Sequence, residues 1–108
     1  MKYDNNKPPI HLVPTLAIEA AAKVFAFGAA KYSENNWRDD INTTEWGRSY
    51  SSLQRHLMAY WNGHEIDPES GLLHIDHALT QLIILRVAFE EGKDMDDRYI
   101  KHKEVEDV

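Results

Sequence analysis

Between residues 64 and 77 the sequence gathers His64, Glu65, Asp67, Glu69, His74, Asp76 and His77. Carboxylates and imidazoles at this density hold divalent cations and move protons to and from water. Glu65, Asp67 and Glu69 are oxygen donors suited to Mg²⁺ or Mn²⁺ on a loop. His74 and His77 stand three apart, so on a helix they share an arc of roughly 60° with Gln81 and can grip one ion. The metal ligands expected from this spacing are Asp67, Glu69, His74 and His77, with His56 from the preceding segment available as a third imidazole. Glu65, Asp67, His56 and His77 are the candidates for positioning or deprotonating an attacking water. Plainer structural roles compete: His74 and His77 as core histidines with backbone or carboxylate partners, Asp67 as a helix cap, Glu69 as a first-turn partner of the helix dipole. Several ionisable groups converging on one end of two apolar helices lower stability unless they are used, which favours the functional reading of the group.

A second cluster mixes cations and aromatics: Lys31, Tyr32, Asn36, Trp37 and Arg38, then Trp46, Arg48, Tyr50 and Arg55. Aromatic faces stack on bases, and Lys or Arg beside them take phosphate oxygens. Lys31, Tyr32, Asn36, Trp37, Arg38 and Arg55 are therefore the candidate nucleotide contacts. The structural alternative is that Trp37, Trp46 and Tyr50 pin a loop to the core while Lys31 and Arg38 stay solvated. The sequence has no cysteine, which excludes a thiolate nucleophile, a thiolate metal site and a disulfide framework. It has no glycine-rich phosphate loop and no Ser-centred elbow. Metal-assisted attack of water is the chemistry left.

The elements that must position these residues are helical. Apolar spacing predicts a first helix from about Leu16 to Ala30, with Thr15 as N-cap and a Glu19–Lys23 pair at i,i+4. Its narrow polar face predicts a mostly buried helix, and its alanines with Gly28 would admit a close neighbour. Residues 31–48 lose the periodicity and read as a long loop, a place where function is often carried. A second helix is expected from about Ser49 to Asn62, with Tyr50, Leu53, Leu57, Tyr60 and Trp61 as a core stripe, His56 at its edge and Arg55 pointing away. Gly63 is its expected stop. Asp67 and Pro68 read as N-cap and first position of a third helix running to about Glu91, unless Gly71 delays the start. That helix is apolar almost all round, hence central to the bundle or to a subunit contact, and Gly92 stops it. The fold class expected is all-α: a small bundle of three to four helices, an extended N-terminal arm over residues 1–15 and a long loop between helices 1 and 2. Residues 1–92 form one helical nucleotide-binding domain, and 93–108 form a charged tail or frayed helix.

With 108 residues the chain makes one domain with a thin core, and a homodimer or higher homo-oligomer is expected, packed through the alanine-rich first helix or the apolar third one. A net charge of −6 argues against stable nucleic-acid binding, though not against a local basic pocket for a small-molecule nucleotide. No apolar run approaches the ~20 residues of a membrane span, and the first residues lack a signal-peptide core, so a soluble cytoplasmic protein is expected.

Three stretches, KPPIHLVP, FAFGAAKYSENNWR and LQRHLMAYWNGHEIDPESGLLHIDHALTQLIIL, closely resemble a family met mostly in bacteriophage genomes, the dATP/dGTP diphosphohydrolase N-terminal domain. The resemblance spans roughly residues 7–86. The matching positions include Lys31, Tyr32, Asn36, Trp37, Arg38, Arg55, His56, Asp67, Glu69, Ser70, His74 and His77. It implies cleavage of purine deoxynucleoside triphosphates to monophosphate and pyrophosphate, an activity similar to that of the all-α, Mg²⁺- or Mn²⁺-dependent MazG-like pyrophosphohydrolases. It also implies, for a phage-encoded chain, the cytoplasm of an infected bacterium. In some phage proteins such a domain precedes a second one, which is not expected after the charged tail here. The E-x-x-E and E-x-x-D pairs of MazG-like enzymes are missing from the predicted helices; His74, Asp76 and His77 on the third and Arg55 and His56 on the second stand instead. An enzyme hydrolysing purine (deoxy)nucleoside triphosphates is the leading expectation. The alternative is a module that captures a nucleotide, for example a host signal, without turning it over.

Overall fold

The structure, a computed structural model, describes residues 6–100, so the start of the expected arm and the end of the expected tail lie outside the described residues. It is all-α, as the periodicity predicts. Four helices follow in order: α1 (Thr15–Lys31), α2 (Asn36–Asp40), α3 (Trp46–Trp61) and α4 (His74–Glu91). One isolated antiparallel bridge, Ile66 to Leu73, is the sole β-type pairing among the described residues. Helix α4 lies between α3 and α1 and packs most extensively on α3. No helix among the described residues is long and apolar enough to cross a membrane.

Thr15 is not the cap of α1 but its first residue; Pro14 holds the N-cap position in extended geometry, and no side chain caps the helix. The fixed φ of proline sets the entry angle, and Ala17 N–H closes the first turn on the Pro14 carbonyl at 3.1 Å. The expectation that α1 is mostly buried fails: Ala21 alone is buried, while Leu16 is 76% and Ile18 53% exposed. The reason is topological, since α4 covers only one side of α1.

The expected loop contains a helix that periodicity cannot show, because α2 has only five residues. Asn36 Nδ2 donates to Asp40 Oδ2 across one turn at 3.0 Å. This turn drives Trp37 and Ile41 inward, where Ile41, Trp46 and Ala88 form a buried cluster joined by Trp37, Leu85, Val87 and Met95. Trp46 Nε1 donates to the Gly92 carbonyl at 3.2 Å, satisfying the one polar atom of a buried indole. Helix α3 therefore starts three residues before the predicted Ser49. Its Gly47 N–H, one of the donors a helix start leaves unpaired, donates to Asp97 Oδ1 at 2.8 Å, a partner fifty residues away.

The predicted core stripe of α3 is only half right. Leu53 and Leu57 are half-buried, but Tyr50, Tyr60 and Trp61 face outward, Trp61 with 85% of its surface exposed. His56 is half-buried with the leucines. Gly63 ends the helix as expected, at φ +89°, with His64 N–H on the Ala59 carbonyl and Gly63 N–H on that of Tyr60.

Asp67 does not cap the third long helix, which begins only at His74. Instead Asp67 and Gly71 bracket a tight turn: Gly71 N–H donates to the Asp67 carbonyl, Asp67 N–H to the Leu72 carbonyl, both at 2.8 Å, and Gly71 takes φ +74°. The delay at Gly71 is thus what the chain adopts. After α4 the chain stays with the body through a 3-10 turn at Lys93–Met95, Met95 packing on the core.

Candidate functional site

The end of the α3–α4 pair nearest the Asp67 turn carries three imidazoles in contact. His56 of α3 puts Nδ1 2.8 Å from Nδ1 of His74, the first residue of α4. The His56 ring also stacks on His77, with centroids 4.5 Å apart and planes 10° from parallel. His74 and His77 are each only 9% exposed. Backbone pairing from Glu65 fixes the start of α4, the His74 N–H donating to the Glu65 carbonyl at 2.8 Å.

Asp67 and Ser70 complete the cluster. Asp67 Oδ2 accepts from the Ser70 N–H at 3.0 Å and from its hydroxyl at 2.9 Å. An ionised carboxylate only accepts, so the one hydroxyl proton belongs to that bond. Ser70 Oγ is then the acceptor for His77 Nε2 at 2.7 Å and for the Leu72 N–H at 3.1 Å. The chain of bonds places a proton on His77 Nε2 and, in the neutral ring, the lone pair on Nδ1. Asp67 Oδ2 itself lies 3.6 Å from His77 Nε2.

Burial lowers the pKa of His56, and the neighbouring His77 and His74 lower it further. Burial lowers His77 as well, against the pull of Asp67. Both rings are thereby kept neutral at neutral pH. Burial works to raise the Asp67 carboxyl, but its two Ser70 hydrogen bonds and His77 outweigh that and hold it below the ordinary carboxylate range. The result is an ionised carboxylate beside neutral imidazoles.

His56, Asp67 and His77 of this cluster line a cleft of about 650 Å³ bounded by α1, α2, α3 and α4. Another part of the lining is aromatic. Trp37 and Phe25 meet at 5.2 Å between centroids, Tyr32 stands exposed at the rim, and Phe27 sets its ring edge-on to His77 at 6.3 Å. Arg55 lines the cleft with no hydrogen bond or ion pair to any described residue.

The remaining candidates divide. Lys31 reaches Glu69, Nζ to Oε2 3.3 Å, with its ammonium also 5.5 Å from the Tyr32 ring centroid. The Glu69 hydrogen bond and charge raise the Lys31 pKa above its ordinary value. Asn36 lines the cleft with its amide turned to Asp40. Arg38 lies over the Trp37 ring at 4.6 Å and is not part of the lining. Glu65 gives its backbone to His74; its side chain is exposed and outside the cleft.

The ligand atoms within 4.8 Å of one another belong to His56, Asp67 and His74. His56 thus takes the place that spacing gave to Glu69, which Lys31 draws to the rim. A donor set of two imidazoles and one carboxylate does not fit Mg²⁺, which demands oxygen; Mn²⁺ accepts mixed nitrogen and oxygen. Sequence reasoning missed the part of Ser70 in joining Asp67 to His77, and the wall formed by Phe25 and Phe27. The turn-forming stretch Asp67-Pro68-Glu69-Ser70-Gly71 was the available signal for the first. Nothing local distinguishes Phe25 and Phe27 from core residues.

Over residues 1–98 the chain matches the family described as dATP/dGTP diphosphohydrolase, N-terminal. A relative from Salmonella phage PMBT28, named dATP/dGTP diphosphohydrolase, is 29% identical over 98 residues, which cover 91% of this chain and 32% of the relative. The chain therefore spans about a third of that relative's length. No solved structure matches.

Proposed function

The chain belongs to the dATP/dGTP diphosphohydrolase N-terminal family, and from that membership we propose that its cleft binds a purine (deoxy)nucleoside triphosphate and hydrolyses it to the monophosphate and pyrophosphate. The observation that carries this reading is the composition of one cleft: its lining brings aromatic Trp37 and Phe25 together with Asp67, His77 and His56, and includes Arg55, which has no hydrogen bond or ion pair among the described residues. Its volume lies within the range of roughly 300–1,000 Å³ usual for small-ligand sites.

In this reading the base stacks on Trp37 and Tyr32, and Arg55 takes phosphate oxygens in the fork geometry that suits them. Lys31 joins by exchanging Glu69 for phosphate. Water adds to the α-phosphorus, the bond from that phosphorus to the bridging oxygen breaks, and pyrophosphate leaves. The water proton passes to the imidazole of His77, which burial keeps neutral and therefore able to accept it. A divalent cation, when bound, supplies charge neutralisation on the phosphates. The setting proposed is the bacterial cytoplasm, with the chain self-associated and without stable nucleic-acid binding.

One observation favours a second reading, capture without turnover. Both carboxylates of the turn are already engaged, Asp67 by Ser70 and Glu69 by Lys31. One experiment separates the two. The protein is incubated with each common (d)NTP and a panel of divalent cations, split into native and heat-denatured portions, and both are chromatographed. Monophosphate and pyrophosphate support hydrolysis; intact nucleotide freed only on denaturation supports capture. Nucleotide neither retained nor cleaved overturns both.

A further inference from the structure

The function proposed above leaves the identity of the ion open, and the donor atoms decide it. His56 Nδ1 and His74 Nδ1 stand 2.8 Å apart, a hydrogen-bond separation with one proton between two lone pairs. A cation in place of that proton satisfies both nitrogens. An Asp67 oxygen completes a set whose members lie within 4.8 Å of one another. Bonds from a first-row ion to imidazole and carboxylate run about 2.0–2.2 Å, so small side-chain rotations close this set around one ion.

We propose that His56, His74 and Asp67 bind one borderline first-row transition dication, of the Zn²⁺ or Co²⁺ kind, and that Mg²⁺ is not the resident ion of this chain. Imidazole nitrogen suits such ions, whereas Mg²⁺ takes near-octahedral oxygen and gives up its waters reluctantly. The three ligands come from separate elements with fixed backbones: α3, the first turn of α4, and the turn before it, where the Asp67 N–H is held by the Leu72 carbonyl at 2.8 Å. His74 is nine-tenths buried, which shields the site from bulk water on one side. His56 and Asp67 also line the cleft, so an ion between them is reachable from it. Three protein ligands with one position left open is the arrangement of catalytic rather than structural zinc sites. Ser70 is the outer partner, orienting Asp67 by two hydrogen bonds while holding His77 alongside. Use of the ion in hydrolysis rests on the function proposed above; its binding does not.

The test is metal binding to the chelator-stripped full chain without nucleotide. Calorimetric titration with Co²⁺, Zn²⁺ and Mg²⁺ is paired with the visible absorption of bound Co²⁺, which reports nitrogen coordination of low symmetry. The expected result is one Co²⁺ or Zn²⁺ per chain and no saturable Mg²⁺ site. Ser70→Ala should weaken Co²⁺ by on the order of 10–100-fold, and His56→Gln and Asp67→Asn by more. Because His56 is only half-buried, His56→Gln should keep the fold, and circular dichroism of each stripped variant checks it. Mg²⁺ binding as tightly as Co²⁺, or a folded His56→Gln protein that keeps full Co²⁺ affinity, overturns the assignment. Nucleotide turnover with Mg²⁺ alone and no Co²⁺ site would remove this ion yet keep the hydrolase reading. A tight Co²⁺ site in a chain that ignores nucleotides would do the reverse.

Discussion

Ser70 joins two of the ionisable groups of the cluster through one oxygen, donating to Asp67 and accepting from His77. Ser70→Ala leaves a part-buried carboxylate and a buried imidazole each short of a partner, which should destabilise the stripped protein by about 1–3 kcal/mol in urea denaturation. The Asp67 pKa, read by NMR titration, should rise toward its ordinary value because the bonds that lower it are gone. The histidines set the pH dependence. The unfolded chain protonates their rings as pH falls through 6.5, while the folded pKa values of His56 and His77 lie lower. Protons therefore bind the unfolded state preferentially, and stability present above pH 6.5 declines as pH falls through the folded values. Asp67 adds a loss of the same sign at lower pH, below its ordinary 3.8. Thermal melts of the stripped protein across this range check the sign; His56→Gln should flatten the upper part of the decline.

Helix junctions are decided by close backbone approach at this scale. A Cβ added to Gly92 would lie 2.6 Å from the Ile41 carbonyl oxygen, beneath the Trp46 indole that bonds the Gly92 carbonyl. Gly92→Ala should cost about 1–3 kcal/mol by forcing α4 away from the end of α2. Gly28, inside α1, meets nothing within 4 Å, so Gly28→Ala should stabilise by about 0.5–1 kcal/mol through helix propensity alone. Opposite shifts in melting temperature are the expected pair of outcomes. Equal shifts would mean that the contact of α4 with Ile41 is looser than it stands here.

The whole molecule leaves too much apolar surface in water for a chain of its size. Among the described residues no large side chain is fully buried, while Ile10, Leu12, Val13, Leu16 and Ile18 on the arm and the start of α1 stand 49–76% exposed. The radius of gyration, 16.3 Å, exceeds the ~13 Å of a compact chain this long. Patches of this kind mark interaction surfaces. A dimer or larger assembly is the expected mass in light scattering, and Leu16→Glu with Ile18→Glu should shift it toward monomer while helical content holds. A wild-type monomer at micromolar concentration would remove self-association as the explanation.

Fold class, the three long helices and the stop at Gly63 were legible in the sequence because each depends on spacing within a few residues. The same is true of the face shared by His74 and His77. Family membership was legible too, since a motif is a linear pattern. Tertiary structure alone decided what depends on distant partners. Lys31 draws Glu69 to the rim across 38 positions, and Asp97 meets Gly47 across 50, so neither the fate of Glu69 nor the early start of α3 is written locally. The exposure of α1 and Trp61 follows from which sides α4 covers, and a periodicity names a face without naming its neighbour. The pattern at Asp67 fits a helix cap and a turn bracket alike, since the two share one residue type; Gly71, at positive φ, makes it a turn and so carries its carboxylate to the histidines.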